Sequence, residues 1–284
     1  ELISRFGLTT LSGKLALQVV NMLNEEQKDY EFKLSVNSGA NGEVADQRAI
    51  TLARNGQKVL LWQTISSFTF NRFLVGNTYD RDYDLIPLQG MTAAPFSIMV
   101  APESPIENYE DLIQFIKNKP IVYWGGSANG SSMDILLSVF LKSNGINNVK
   151  VLSYEKPYDI TRGILSREVD FTIFNPIDLT GLKQLVTSNP ERIYNYKNVP
   201  TGIEVGMKDF VFNSQNIISV PKEQAEFGEQ IKPLLARICY DKRFLEIMGN
   251  VDYISSCSGT QSIKRKIKEE NELIAKYKDS VVPK

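Results

Sequence analysis

Apolar positions along this chain recur alternately at the spacing of a strand and the spacing of a helix. "LISRF" reads as a short strand, and "SGKLALQVVNMLNEEQ" carries Leu15, Val19 and Leu23 on one helical face. "EFKLSV" predicts the next strand and "EVADQRAITLARNG" a helix closed by Gly56. "KVLLWQT" is a nearly continuous apolar strand, as in the middle of a sheet buried on both faces. The pattern resumes with strand "FSIMVA" and helix "NYEDLIQFIKNK", where Tyr109, Leu112, Ile113 and Ile116 fall on one face; strand "IVYWG" follows. A helix comes next, with Met133, Leu136, Leu137, Phe140 and Leu141 at helical spacing, Lys142 near its end and Gly145 as its stop. "NVKVLSY", "YDITRGILSRE" and "VDFTIFN" give strand, helix and strand.

Beyond an irregular stretch, "NPERIYNYKNVPTGIEVG", the segment "FVFNSQNIISV" reads as one long strand or two short ones. The helices "EQAEFGEQIKPLLARICYDKRFLEIM" and "SIKRKIKEENELIAKYKD" end the chain. Strand–helix alternation predicts an α/β fold with mostly parallel sheets covered by helices. There is no tandem repeat and no linker rich in Pro, Gly or Ser, so two domains would require the chain to cross between them more than once.

Length and composition narrow the possible functions. At 284 residues and 42% hydrophobic, the chain can bury one large core or two modest ones. Lys and Arg (32) balance Asp and Glu (33), which argues against a nucleic-acid backbone or an anionic membrane as partner. The absence of histidine removes Ser-His-Asp triads, Cys-His dyads and most zinc sites. Asp134, Asp170 and Asp178 lack metal-ligand spacing and read as solvated or capping groups, so neither metal nor cofactor is expected. Cys239 and Cys257 either bridge in an oxidising compartment or stay as buried thiols, and the sequence leaves both open. No apolar run reaches the roughly 20 residues of a membrane span. The start at "ELISRFG", without Met or a signal-like segment, is what a mature or trimmed secreted protein would show.

Candidate chemistry lies in the turns. In "GGSANGSSMD", Gly125 and Gly130 have the spacing of a phosphate-binding loop, but Ser131 and Ser132 follow where that motif needs Lys and then Ser or Thr. A triphosphate would lack its point charge. A helix start still favours an anion of modest charge, such as a carboxylate, and Ser127, Asn129, Ser131 and Ser132 add neutral donors while Gly130 lets a ligand approach. Taken alone, the same residues are what an ordinary helix cap requires.

"RFGLTTLSGK" repeats the design near the N-terminus, with Thr9, Thr10 and Ser12 between strand and helix. Two such turns, each beyond a C-terminal strand end, predict a two-jawed site for a small anion. Thr64 and Asn175 also sit at predicted strand ends and join the candidates. "NSGANG", Asn37 to Gly42, is a third turn that backbone geometry explains equally well. Trp62, Phe68, Phe70 and Phe73 read as core.

The ordered motifs resemble the Bug family, the extracytoplasmic substrate-binding proteins of tripartite tricarboxylate transporters. The resemblance runs through "VNSGANGEVADQRAI", "DLIPLQGMTAAPFSIMVAPESPIENYEDLIQFIK", "YWGGSANGSSMDILLSVFLKSNGI", "VLSYEKPYDITRGILSREVDFTIFN" and "NVPTGIEVG". The last is the most specific, being similar to that family's "dvPTlaE.G". The resemblance implies a type 2 periplasmic-binding fold of two α/β lobes, without catalytic machinery, that delivers a carboxylate to membrane permease subunits. It places the protein outside the cytoplasm, periplasmic or lipid-anchored at the cell surface, as a monomer. Lobe one is expected at 1–100 plus 219–284 and lobe two at 101–218, with crossings near "IMVAP" and "NIISV". The family's binding loops fall on the turns Gly7 to Ser12 and Ser127 to Ser132.

The chain departs from the family pattern in having no aspartate in its first turn, Asp134 near the place of a histidine, and "YEKPY" for "YkG". These departures bear on which ligand is preferred. Two other readings share the fold: an enzyme using Asp134 or Asp178 as base, and a ligand-sensing receptor without a permease.

Overall fold

Strand–helix alternation is realised in two α/β units. The computed structural model describes residues 1–70, 84–127, 131–249 and 253–281. Its strands are β1 (Leu2–Ser4), β2 (Leu34–Val36), β3 (Leu60–Thr64), β4 (Leu85–Pro95), β5 (Ser97–Val100), β6 (Val122–Gly126), β7 (Val149–Ser153), β8 (Phe171–Phe174), β9 (Lys183–Thr187), β10 (Asn213–Pro221) and β11 (Ile254–Gly259). Its helices are α1 (Leu11–Glu26), α2 (Glu43–Arg54), α3 (Tyr109–Asn118), α4 (Ser132–Asn144), α5 (Pro157–Leu165), α6 (Ala225–Tyr240), α7 (Lys242–Gly249) and α8 (Thr260–Tyr277).

The first unit, Glu1–Ala93 with Gln215–Glu270, holds a six-stranded sheet in the order β11-β4-β10-β3-β1-β2. β1 runs parallel to β2 and β3, with Leu2 beside Leu60 and Ser4 beside Trp62, while β10 is antiparallel to β3 and β11 to β4. Side chains alternate across a strand, so neighbouring residues of β1 serve two cores. Leu2 packs with Leu15, Val19 and Leu23 of α1 and with Leu235 and Ile238 of α6, whereas Ile3 packs with Ala45 and Ala49 of α2 and Ile263 of α8. The helical face read from the sequence at Leu15, Val19 and Leu23 is the buried one. Trp62, Phe68 and Phe70 are buried as expected, and Phe73 lies outside the described residues.

Cys239 at the end of α6 is bonded to Cys257 in β11, with Cα atoms 5.7 Å apart and a sequence separation of 18. This resolves the alternative that the sequence left open. Closing a loop of that length restricts the unfolded chain by about 3 kcal/mol. Reduction with tris(carboxyethyl)phosphine, or replacement of both cysteines by serine, is therefore expected to lower the melting temperature by about 6–12 °C. An unchanged melting curve would show that the bond contributes nothing.

The second unit, Ala94–Ser214 with Asn271–Lys284, holds a five-stranded sheet in the order β7-β6-β8-β5-β9. β6 is parallel to β7 and β8, and β5 is antiparallel to β8 and β9. Trp124, Phe140 and Phe171 are buried in its core, with the rings of Phe140 and Phe171 5.5 Å apart. The last turn of α8 is tied into this unit, where Lys276 Nζ (2.5 Å) and Tyr277 Oη (2.7 Å) donate to Asp209 Oδ2. Those two donors hold the Asp209 carboxyl below its ordinary range.

The boundaries between units differ from the expected ones. They fall at 93/94 and 214/215 rather than 100/101 and 218/219, and the residues from Asn271 pack with the second unit. All three changes occur inside continuous elements, namely β4, β10 and α8, where no turn residue marks a domain edge. Each sheet is mixed, because antiparallel strands are added beside its parallel core.

Candidate ligand-binding site

Parallel pairing brings the C-terminal ends of β1, β2 and β3 to one sheet edge, and the segments that follow them carry the first set of candidates. Thr10 is the N-cap of α1: its Oγ1 accepts from Gly13 N–H at 3.1 Å and donates to the Gly7 carbonyl at 2.8 Å. Gly13 is required by close approach, since a Cβ there would lie 2.2 Å from the Gly7 carbonyl oxygen. The turn is thus clamped against the helix start, where the amides of Leu11 and Ser12 have no intrahelical acceptor. Thr9 is exposed beside them.

Ser12 has a different role from the one its position suggested. It is buried; its hydroxyl donates to Asn216 Oδ1 at 3.0 Å and accepts from the Trp62 indole N–H at 3.0 Å. Asn216 Nδ2 donates in turn to Thr92 Oγ1 at 2.8 Å, and Thr64 sits opposite Asn216 in the β3–β10 register. Ser12 and Thr64 are therefore brought to one place, but the Ser12 proton is already engaged within the protein. Sequence reading missed Asn216 and Thr92. Their only signal was amide and hydroxyl side chains in otherwise apolar strands.

Arg5, the residue after β1, braces the same edge through contacts within the protein. Its Nη1 donates to Ser67 Oγ at 2.8 Å, and its guanidinium lies 5.3 Å from the Phe6 ring centroid. The third turn packs here: Ser38 Oγ donates to the Arg5 carbonyl at 3.0 Å, and Gly39 and Gly42 have φ of 126° and 94°. That arrangement makes the turn a structural support for Arg5.

In the second unit, β6 and β8 run parallel with Gly125 beside Thr172, whose Oγ1 donates to the Gly125 carbonyl at 2.7 Å. Ser127 and Asn175 follow the C-terminal ends of these strands and so share an edge. Gly126 admits no side chain, because a Cβ would lie 2.1 Å from the Trp124 ring. Asn129 and Gly130 lie outside the described residues. Ser131 is the N-cap of α4; its N–H and Oγ donate to Asp134 Oδ2 at 3.0 and 3.2 Å, and Ser132 opens the helix. Asn175 is 7% exposed, and its Oδ1 accepts from Ile177 N–H at 3.1 Å.

Two of the three acidic candidates have structural duties. Asp134 is a buried cap, and Asp170 accepts from Lys119 Nζ at 2.6 Å and from Tyr123 N–H at 2.8 Å. Asp178 is exposed on the turn after β8. Among the described residues there is no group of His, Cys, Asp or Glu that could hold a metal ion, and no helix is long and apolar enough to cross a membrane.

In open α/β sheets ligands bind beyond the C-terminal ends of the strands, which is where these donor-bearing segments lie. Residues 34–271 match the tripartite tricarboxylate transporter family receptor, and the chain belongs to this family. It is 25% identical over 173 residues to a UPF0065 protein of Bordetella pertussis (strain Tohama I), an alignment covering 58% of this chain and 53% of that protein, so the chain spans about half the length of this curated relative.

Among solved structures it is similar to R. palustris Rpa4515 with adipate, at a TM-score of 0.80 and 18% identity, covering 99% of this chain and 96% of the other. It is also similar to MatC (Rpa3494) from Rhodopseudomonas palustris with bound malate, at a TM-score of 0.76 and 13% identity, covering 99% and 98%. These likenesses are likenesses of fold. The family is one of solute receptors, and the enzyme reading has no support in it.

Proposed function

We propose that this protein captures a small carboxylate outside the cytoplasm and delivers it to the membrane permease subunits of a tripartite tricarboxylate-type transporter, acting as a monomer. The observation that carries this reading is that each unit places hydroxyl groups between the end of a parallel strand and a helix start, Thr9 and Thr10 in the first and Ser127 and Ser131 in the second. In the first unit the amides of Leu11 and Ser12 with Thr9 would meet the ligand. In the second, Ser127, Ser132 and Asn175 would do so, together with Asn129 and Gly130. Thr10 and Ser131 hold the two helix starts in shape. Adipate and malate in the two similar structures favour a dicarboxylate, and the Cys239–Cys257 bond favours an oxidising compartment.

With neutral donors and helix dipoles doing the holding, affinity should change little between low and physiological salt. The test is a thermal-shift screen of C4 to C6 mono-, di- and tricarboxylates against neutral and cationic controls. A ligand at 100 times its dissociation constant adds about 2.7 kcal/mol. A dicarboxylate is expected to raise the melting temperature, and Ser131→Ala with Ser132→Ala to abolish the rise. Stabilisation only by neutral or cationic compounds would overturn the proposal.

A further inference from the structure

The second unit carries a cavity of about 520 Å³ at the opposite end of its parallel strands from the candidate ligand-binding residues. It lies where Lys119 and Asp170 lead into the N-terminal ends of β6 and β8, whereas Ser127 and Asn175 follow the C-terminal ends of the same strands. Strands of that length separate the two places by roughly 15 Å. Its volume falls within the range of small-molecule sites.

The walls are built and braced. Ile106, Phe115, Ile164 and Val169 supply an apolar lining. On one side, Lys183 Nζ donates to the carbonyls of Ser104 (2.9 Å) and Ile106 (3.1 Å) and to Glu107 Oε1 (2.6 Å), which fixes the 104–107 segment. On the other, Lys119 is neutralised by Asp170 at 2.6 Å and lies 5.3 Å from the Phe115 ring centroid. Two charged lining residues, Glu103 and Arg167, are exposed and make no ion pair or side-chain hydrogen bond among the described residues.

Arg167 is held there at a conformational cost. It has φ of 62°, in the left-handed region that favours glycine. The backbone around it explains the angle: Arg167 N–H donates to the Ile164 carbonyl (3.1 Å) and Glu168 N–H to the Gly163 carbonyl (2.9 Å), the paired bonds that close α5. Glycine would fill that place without strain, so the guanidinium's presence asks for a use outside the helix cap.

We propose that this cavity is a second binding site, for a small aliphatic zwitterion, with its carboxylate on Arg167, its ammonium group on Glu103 and its hydrocarbon on the apolar lining. A guanidinium offers paired donors to a carboxylate, and the carboxylate of Glu103 in the same lining selects against simple anions.

The test is titration of the full chain with 6-aminohexanoate and with leucine, with hexanoate and hexylamine as controls, followed by amide chemical shifts. Shifts are expected at 103–107 and 163–170, and not at 7–13 or 127–133. That localisation separates this site from the proposed carboxylate site, so that either can fail alone. Arg167→Gly is expected to weaken binding at least about tenfold, the worth of one charge-assisted contact, while its melting temperature stays equal to or above that of the parent. Glu103→Gln is expected to bring the zwitterions down to the affinity of hexanoate. Equal binding of hexanoate and the zwitterions by the parent, retention of affinity in Arg167→Gly, or shifts absent from 103–107 and 163–170 would each overturn the proposal.

Discussion

Asn216→Ala is expected to destabilise the protein by about 2–4 kcal/mol. The Asn216 side chain bonds Ser12 through Oδ1 at 3.0 Å and Thr92 through Nδ2 at 2.8 Å, and it is 3% exposed. Truncation leaves the Ser12 hydroxyl without its acceptor and the Thr92 oxygen without its donor, among buried side chains. It also opens a void, so the loss exceeds that of one solvent-exposed hydrogen bond. A fall of about 6–12 °C in melting temperature is the expected reading. Ser12→Ala should cost less, because Asn216 keeps its bond to Thr92, and the double variant should cost less than the sum of the two. Additive losses would show that Ser12 and Asn216 do not act as one unit. The same bond steadies the start of α1, which makes Asn216 a positioning residue for the first turn.

Glu270→Gln is expected to stabilise the protein at pH 8 and to leave it little changed at pH 5. Glu270 is 4% exposed; its Oε2 accepts from Thr69 Oγ1 at 2.9 Å, and its Oε1 has no hydrogen-bond partner among the described residues. Burial pushes its carboxyl up from 4.5 to about 7, although Lys266 and Thr69 pull the other way. Between those two values the folded protein holds a proton that the unfolded chain releases, so stability falls as pH rises through the window and levels off above it. The separation corresponds to about 3 kcal/mol at most. Glutamine keeps an acceptor for Thr69 and removes the charge. Parallel melting curves for parent and variant from pH 5 to 8 would contradict the assignment.

Much of this fold was legible because its buried faces obey simple periods. Leu15, Val19 and Leu23 read as one helical face and form one, and "KVLLWQT" reads as a central strand and lies inside the six-stranded sheet. β4 was not foreseen. Its sequence "LIPLQGMTAAP" mixes Pro, Gln, Gly and Thr into a strand that neighbouring strands, rather than its own propensity, hold extended. β11 carries serines and a cysteine where alternation would need apolar residues, and the disulfide supplies part of what packing does elsewhere.

The local structure of the candidate site was partly legible for the same reason. Strand ends and helix caps are local signals, and they led to Thr10, Ser131, Thr64 and Asn175. Which hydroxyls face inward is decided by long-range partners. Ser12 meets Asn216 across 204 positions of sequence, which no local pattern records.

The measurement that tests the central claim most directly is a map of amide chemical-shift changes on titration with adipate or malate at physiological salt. The account predicts saturable changes concentrated at Gly7 to Gly13 in the first unit and at Ser127 to Met133 in the second, in the same stoichiometric transition. Saturable binding with changes confined to other surfaces, or to one of the two turns alone, would contradict it.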